Sequence, residues 1–332
     1  MIVSIIVPVR REMPAIERFL ASLAAQDVAD LEWEVIVADG MSDDGTRDVL
    51  AKWAQAWPKL TVIDNPRGYV SSGLNAAVRA ARGDIIIRMD AHSEYAPDYV
   101  RQSIAVLDET GADNVGGPAR TRATGWLARA VAAAYHSRFG SGGAKFHDAG
   151  YEGPVDTVPY GCWRRATLER AGLFDESLVR NQDDELNLRI IRGGGRIWQS
   201  PRIRSWYRPR GSLRALFVQY FQYGFWKVAV IRKHRRPASW RHLAPGVCVL
   251  LGLALAIASF FWRWPLAVLC VLAGTYAVGS LVASVTSARR HGWDLLPALP
   301  AVFAVYHAAY GLGFLAGVAT ATGRPSSRRA AA

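Results

Sequence analysis

A chain of 332 residues, 51% of them hydrophobic, can bury one large core or two modest ones and is slightly apolar for a soluble enzyme. The formal net charge of +12 invites a nucleic-acid reading, yet no zinc-ligand pattern, basic zipper or aromatic RNA-binding signature accompanies it, so no nucleic-acid partner is expected. Val3–Pro8 reads as a short parallel-type strand, followed by Val9-Arg10-Arg11-Glu12 and by Pro14, placed where a first helical turn accepts proline. Ile16, Phe19, Leu20 and Leu23 form the apolar stripe of the helix that follows. A second strand, Trp33–Ala38, ends at Asp39-Gly-Met-Ser-Asp-Asp-Gly-Thr46, a turn of small and acidic residues that caps the next helix. The pattern recurs as strand Leu60–Ile63, helix Ser72–Ala81 and strand Asp84–Met89. Strand alternating with crossover helix predicts an α/β fold, a mainly parallel sheet flanked by helices, with Pro8, Asp39 and Asp90 along one edge.

The third of those strand ends organises the chain. Ile85–Ile87 is a β-branched run, and it delivers Asp90 and His92 with one residue between them. Ligands of open α/β sheets bind at the carboxyl ends of strands, so a carboxylate and an imidazole there suit a divalent cation holding a phosphorylated substrate. The same triplet also serves as an ordinary polar turn. Asp39 can accept from a base N–H or a ribose hydroxyl, and Arg67 or Arg10 can pair with phosphate. A carboxylate at such a turn is equally a helix cap, and Asp43, Asp44 and Thr46 read as structural. No G-x-G-x-x-G or P-loop glycine pattern is present, so a metal must carry any diphosphate. The glycine-rich segment Ser141–Lys145, with His147 nearby, reads either as a mobile lid or as a long surface loop. Cys162, Cys248 and Cys270 have neither metal-ligand nor redox spacing.

From Ser212 the chain reads as a helix with Leu213, Leu216, Phe217, Tyr220, Phe221, Val228 and Ile231 on a broad apolar face and Arg232-Lys-His-Arg-Arg236 at its end. An amphipathic helix of this kind lies on a bilayer, its alternative being a core helix. Three nearly uncharged stretches follow, 243–262, 264–288 and 295–320, within a region that reaches Thr322. Each matches the ~20 residues that cross a hydrocarbon core of about 30 Å. Trp262, Trp264 and Trp293 stand at their ends as interfacial anchors. Cations crowd the approach to the first stretch, from Arg202 through Arg241, as on a cytoplasmic surface facing anionic lipid. Arg289 and Arg290 fit that side. Arg324, Arg328 and Arg329 do not if three stretches span, and Pro297, Pro300 and His307 leave a re-entrant course open for the third. Met1–Val9 is too short for a signal sequence. The expected organisation is a cytoplasmic catalytic domain (1–210), an interfacial helix and basic linker (211–242), a multi-pass region (243–322) in a bacterial-type inner membrane, and a short tail (323–332).

Ser4-Ile-Ile-Val-Pro-Val-Arg-Arg-Glu12, Val35–Thr46 and Ala81–His92, in this order and spacing, resemble glycosyltransferase family 2, and so do Gly161-Cys-Trp-Arg-Arg165 and Asn181-Gln-Asp-Asp-Glu-Leu-Asn-Leu-Arg189. Within it, the D-A-H triplet, Gln182 and the C-terminal spans look most like the succinoglycan-biosynthesis glucosyltransferases. The resemblance implies a GT-A fold over about residues 1–235, a UDP-sugar donor bound by Pro8, Arg10, Glu12 and Asp39, and a divalent cation at Asp90 and His92, where the family has D-x-D. Imidazole in place of the second carboxylate favours Mn²⁺ over Mg²⁺. Asp183 matches the family's general base, with Asp184 its adjacent rival, and Glu185 with Arg189 reads as an i, i+4 surface pair.

A sugar C1 bonded to a nucleoside diphosphate already has a good leaving group, so one base and one cation suffice for inversion, unlike the two carboxylates of a glycosidase. The expected activity is single addition of a sugar, glucose first, to a polyprenyl-diphosphate-linked saccharide in exopolysaccharide assembly, since Gln219–Trp226 does not match the Q-x-x-R-W of processive members. A polyprenyl-phosphate glycosyltransferase and a catalytically idle nucleotide-sugar binding protein are the alternatives.

Overall fold

A computed structural model of the chain describes residues 1–320, so the tail at 323–332, its three arginines and Thr322 lie outside the described residues. The chain forms two compact units, residues 1–121 with 145–208, and residues 122–144 with those from 209 on.

The first unit runs β1 (Ile2–Val9), α1 (Ile16–Ala24), β2 (Glu32–Asp39), α2 (Thr46–Ala56), β3 (Leu60–Asp64), α3 (Val70–Ala80), β4 (Ile85–Arg88), β5 (Ser93–Tyr95), α4 (Tyr99–Thr110), β6 (Asn114–Gly116) and β7 (Arg120–Thr121). The inserted segment, carrying α5 (Trp126–Tyr135) and α6 (Arg138–Ser141), belongs to the second unit. The first then resumes with β8 (Gly153–Pro154), β9 (Cys162–Arg164), α7 (Arg165–Ala171), α8 (Gln182–Arg192), β10 (Ile197–Gln199) and β11 (Ser205–Tyr207). Eight strands form one sheet in the order β3-β2-β1-β4-β9-β6-β10-β8, and β5-β11-β7 form a second.

From β3 to β4 the large sheet is parallel, as the sequence predicts. Beyond β4 it is mixed, because β9 lies antiparallel between β4 and β6. Gly161–Arg165, one of the segments that resemble the family, is therefore largely strand. Cys162 and Trp163, both almost fully buried, point to opposite faces, and two alternating apolar residues are too short a run to announce a strand.

Side-chain alternation divides the core into two layers. Ile5, Val7, Val35, Val37, Ile85 and Ile87 share one with Phe19, Leu20 and Leu23 of α1 and Tyr99 and Leu107 of α4. Ile6, Ile36 and Ile86 share the other with Leu74 and Val78 of α3 and Leu186 and Ile190 of α8. Pro14 is not in the first turn of α1 as expected; it follows a cis peptide bond in the turn before the helix.

Arg165 ties α3 to the sheet. Its guanidinium donates to the carbonyls of Gly83 (2.8 Å), Val78 (3.1 Å) and Ala81 (2.6 Å), two of which end α3 and would otherwise lack partners. Arg165→Ala is expected to cost about 1–3 kcal/mol, read as a lower unfolding temperature of detergent-solubilised protein. An unchanged unfolding temperature would show that water replaces the guanidinium at no cost.

In the second unit α9 (Leu213–His234) is followed by α10 (Ala244–Ala258), α11 (Arg263–His291) and α12 (Leu299–Thr320). Trp240–Ala258, Arg263–His291 and Leu299–Thr320 are each long and apolar enough to cross a membrane. Trp262, Trp264 and Trp293 are exposed at helix ends, where indole rings suit the membrane interface. Pro300 falls in the first turn of α12, where proline is tolerated, and Pro297 precedes it, so neither breaks the helix. His307 is satisfied within the unit, its Nδ1 2.9 Å from the Tyr276 hydroxyl and its Nε2 2.9 Å from the Phe139 carbonyl. Ser212 caps α9 through its Oγ, and α9 packs closely along α12. A Cβ on Gly313 would fall 2.0 Å from the Phe221 carbonyl oxygen, and one on Gly224 2.1 Å from that of Tyr310. Glycine at both places lets the two backbones touch, so this helix has an apolar partner of its own, while Phe217 and Val218 remain exposed.

Candidate active site

The loops after β1 and β2 are fastened to each other. The Arg11 amide donates to Ser42 Oγ (2.8 Å), the Glu12 amide to Thr46 Oγ1 (3.0 Å) and the Met13 amide to Asp44 (3.1 Å), while the Arg11 guanidinium pairs with Asp43 (2.6 Å). Asp43, Asp44 and Thr46 thus hold the loop that carries Arg10 and Glu12. Pro8 is the last residue but one of β1, in register with Ala38, and Arg10 donates to the Gly68 carbonyl (3.3 Å).

Two of the expected nucleotide-binding groups are already engaged. Asp39 is fully buried and accepts from the Ser42 hydroxyl (2.6 Å), the Ser42 amide and the Arg47 guanidinium (2.9 Å). Arg47 reaches on to Asp64 (2.7 Å) and links the ends of β2 and β3, a role no motif in the sequence announces. Arg67 pairs with Glu176, which also accepts from Asn75, so its charge is directed at a carboxylate and not at the strand ends. For Arg67 the partner is distant in sequence and invisible in a local pattern, whereas Asp39 is held by the turn and helix start that directly follow it.

At the end of β4, Arg88, Asp90 and His92 come together with Glu12. Arg88 and Asp90 are both buried, and the guanidinium holds the carboxylate with two bonds of 2.7 Å. The Asp90 amide donates to the Tyr95 hydroxyl (2.6 Å), which fixes the turn. His92 is half exposed, with Nδ1 3.4 Å from Glu12 Oε1. Its burial disfavours the charged ring, but the hydrogen bond to Glu12 and the charges of Asp90 and Glu12 outweigh that and raise its pKa. Tyr160 bonds Ser93 (2.6 Å) beside this turn, and its own backbone is left-handed, a conformation that non-glycine residues hold only when neighbours enforce it. Cys162 is buried and its thiol pushed up, so it is no nucleophile here.

Asp183 enters from α8. Asn181, in the left-handed region, turns the chain into the helix, and Asp183, Asp184 and Glu185 occupy its first turn, where the helix dipole favours negative charge. Glu185 is fully buried and Arg189 mostly so; they pair at 2.8 Å, and Arg189 also donates to the carbonyls of Ala171 and Leu173. This corrects the surface-pair reading, since the pair anchors α8 to the end of α7 and thereby sets where Asp183 stands. Burial raises the Asp183 pKa, the Asp184 charge adds to it, and Arg88 opposes it. Arg88 in turn is held by Asp90 and also feels the charge of Asp183. The neutral side chain of Gln182 is buried next to them, where a third carboxylate would push the pair further from ionisation.

The donor set fits a divalent cation in part. With Glu12 on Nδ1, the Nε2 of His92 is the nitrogen able to ligate, the carboxylate–histidine arrangement common behind metal ligands. Arg88 occupies both oxygens of Asp90, which retain further lone pairs. Among the described residues no three His, Cys, Asp or Glu side chains converge, so an ion held here takes the rest of its shell from water and substrate.

Comparison with known proteins gives a consistent picture. Glycosyl transferase family 2 matches residues 4–167. The chain is 31% identical over 314 residues to the succinoglycan biosynthesis protein ExoA of Rhizobium meliloti, covering 93% of each. It is 25% identical to the dolichyl N-acetyl-alpha-D-glucosaminyl phosphate 3-beta-D-2,3-diacetamido-2,3-dideoxy-beta-D-glucuronosyltransferase of Methanococcus voltae, covering 95% of this chain and 97% of that one. Among solved structures, the mannosyltransferase PcManGT of Pyrobaculum calidifontis in complex with GDP-Man and Mn²⁺ superposes with a TM-score of 0.60 at 23% identity, over 94% of this chain and 86% of that one. TarS of S. aureus, residues 1-349 with UDP-GlcNAc, gives 0.51 at 17% identity, over 95% and 91%. Both likenesses concern the fold.

Proposed function

Because the chain belongs to glycosyltransferase family 2, we propose that it moves a sugar, glucose in the first instance, from a UDP-sugar to a polyprenyl-diphosphate-linked saccharide, with inversion and one sugar per encounter. The reaction would take place at the cytoplasmic face of a bacterial-type inner membrane, a location supported by three helices long and apolar enough to cross one. One observation supports the chemistry: the buried Arg88 guanidinium holds Asp90 at the strand end and feels the charge of Asp183 from a helix start far away in sequence, with His92 paired to Glu12 at the same strand end. The name of the Rhizobium relative supports an exopolysaccharide product, and that of the Methanococcus relative a lipid-linked saccharide acceptor.

In this reading Asp183 takes the proton from the attacking hydroxyl, its base strength increased by burial and by Asp184. Asp90 and His92 would hold a divalent cation, Mn²⁺ in preference to Mg²⁺, which offsets the charge gathering on the departing diphosphate. Pro8, Arg10 and Glu12 would border the nucleoside side, with Asp39 shaping the loop behind them, while Arg67 would have to leave Glu176 to reach a phosphate. With an α-configured donor the new linkage is β. Membranes containing the protein, incubated with radiolabelled UDP-sugars and extracted for lipid, are expected to pass label from UDP-glucose into a lipid saccharide. No label in the lipid fraction from any UDP-sugar would overturn the assignment.

A further inference from the structure

We propose that Arg88 reads the sugar being transferred, its Nη1 donating a hydrogen bond to a hydroxyl oxygen of that sugar, so that Arg88 is a specificity-determining residue; this rests on the sugar-nucleotide reading above. Arg88 closes a strand whose other residues are three isoleucines, and it is 5% exposed. A guanidinium costs several kcal/mol to bury, and well-packed apolar side chains often replace such an ion pair without loss of stability. Its presence points to a task.

Nε and Nη2 are spent on Asp90, but Nη1 is buried with no hydrogen-bond partner among the described residues. An orphaned N–H on a charged group is the costliest kind to leave unmet. The face of the side chain follows from the strand. Arg88 is on the same face as Ile86, whose core layer is shared with Leu186 and Ile190 of α8, the helix that carries Asp183. In the proposed reaction the leaving diphosphate is on the Asp90 and His92 side and the attacking hydroxyl on the Asp183 side. The ring of the transferred sugar therefore occupies the space between, which Arg88 borders.

Charge decides what kind of oxygen meets Nη1. Asp90 and Asp183 already answer the guanidinium's charge, so what remains is an unmet donor and not an unmet cation. A neutral hydroxyl accepts that bond and can pass its own hydrogen to a neighbouring carboxylate, whereas a further anion would crowd an already acidic cluster. A site built to hydrogen-bond a substrate hydroxyl discriminates strongly against analogues that lack it.

The test uses full-length protein in detergent and calorimetric titration with UDP and UDP-glucose. Arg88→Lys keeps the charge on Asp90 and removes the third arm. It is expected to weaken UDP-glucose by ~10–100-fold while UDP changes by less than about threefold, so that UDP binding also certifies the fold. Parallel weakening of both would assign Arg88 to the diphosphate or to folding and overturn the proposal, as would no change in either. A second measurement varies the ligand: among monodeoxy UDP-glucoses, one is expected to bind the wild-type protein as weakly as UDP-glucose binds the lysine variant, and the variant is expected to be indifferent to that deletion. If every monodeoxy donor binds the wild type like UDP-glucose, the proposal fails. Wild-type protein that binds no UDP-sugar would instead sink the sugar-nucleotide reading itself.

Discussion

Asp183→Asn is expected to lower the turnover of sugar transfer by about 10²–10⁴-fold while leaving UDP-glucose affinity within about threefold. The amide keeps the shape of the side chain and can still accept the Asp184 amide hydrogen, which the carboxylate takes at 3.0 Å. It cannot take a proton from an attacking alcohol. An acceptor that is already an anion, such as a polyprenyl phosphate, needs no such base, so activity surviving in this variant would favour that alternative. Stability should move the other way. Burial, reinforced by Asp184, raises the Asp183 pKa above its unfolded value, so the folded state binds more protons than the unfolded chain between the two values. For a carboxyl group shifted in this direction, the stabilisation belongs to the neutral form. It is complete below the unfolded pKa and is lost as the pH rises through the folded one. At neutral pH the wild-type protein carries that penalty and the asparagine variant does not, so the variant is expected to unfold at a higher temperature. The same shift places the acid limb of the wild-type rate profile above the range of an ordinary aspartate. A variant equally active, or less stable at neutral pH, would remove Asp183 from the role of buried base.

The local rules of strand and helix made much of this site legible. Ile85–Ile87 could only be a buried strand, and a strand of that kind must release Asp90 and His92 at its end, where the structure has them. The first strands and helices appear within two residues of where alternation and the i, i+3, i+4 stripe put them. What pattern could not show is whom each charge meets. Arg67 finds Glu176 through folding that brings separate segments together, Asp39 finds Arg47 across the turn after β2, and Arg189, beside its i, i+4 partner Glu185, also reaches the carbonyls of Ala171 and Leu173. Arg88, inside the expected strand Asp84–Met89, is singled out by no motif, and only its burial and its pairing with Asp90 bring it into the site. The mixed half of the sheet escaped because β8, β9 and β10 have two or three residues each, too few for a period.

Asp90→Asn is expected to be the most damaging single change to the fold of the catalytic unit, costing about 3–5 kcal/mol. Arg88 and Asp90 are side chains only 6% and 10% exposed that satisfy each other through two bonds. Removing the negative partner leaves a buried guanidinium with its counter-charge gone, and an amide oxygen offers it one acceptor where a carboxylate offered two. Asp183 is the remaining carboxylate that Arg88 feels, and a stranded cation drawn toward it would compete for the base. Transfer should therefore fall beyond detection, from loss of a cation-holding carboxylate as well as from misplacement of Asp183. A second substitution separates these causes. Arg88→Met added to Asp90→Asn removes the stranded charge, so the double variant is expected to regain most of the unfolding temperature while remaining inactive. Recovery of stability without activity would mean that the pair costs little to replace and is kept for what it does to substrate. Should Asp90→Asn alone unfold at the wild-type temperature and still transfer sugar, neither the pairing nor the cation assignment at this strand end could stand.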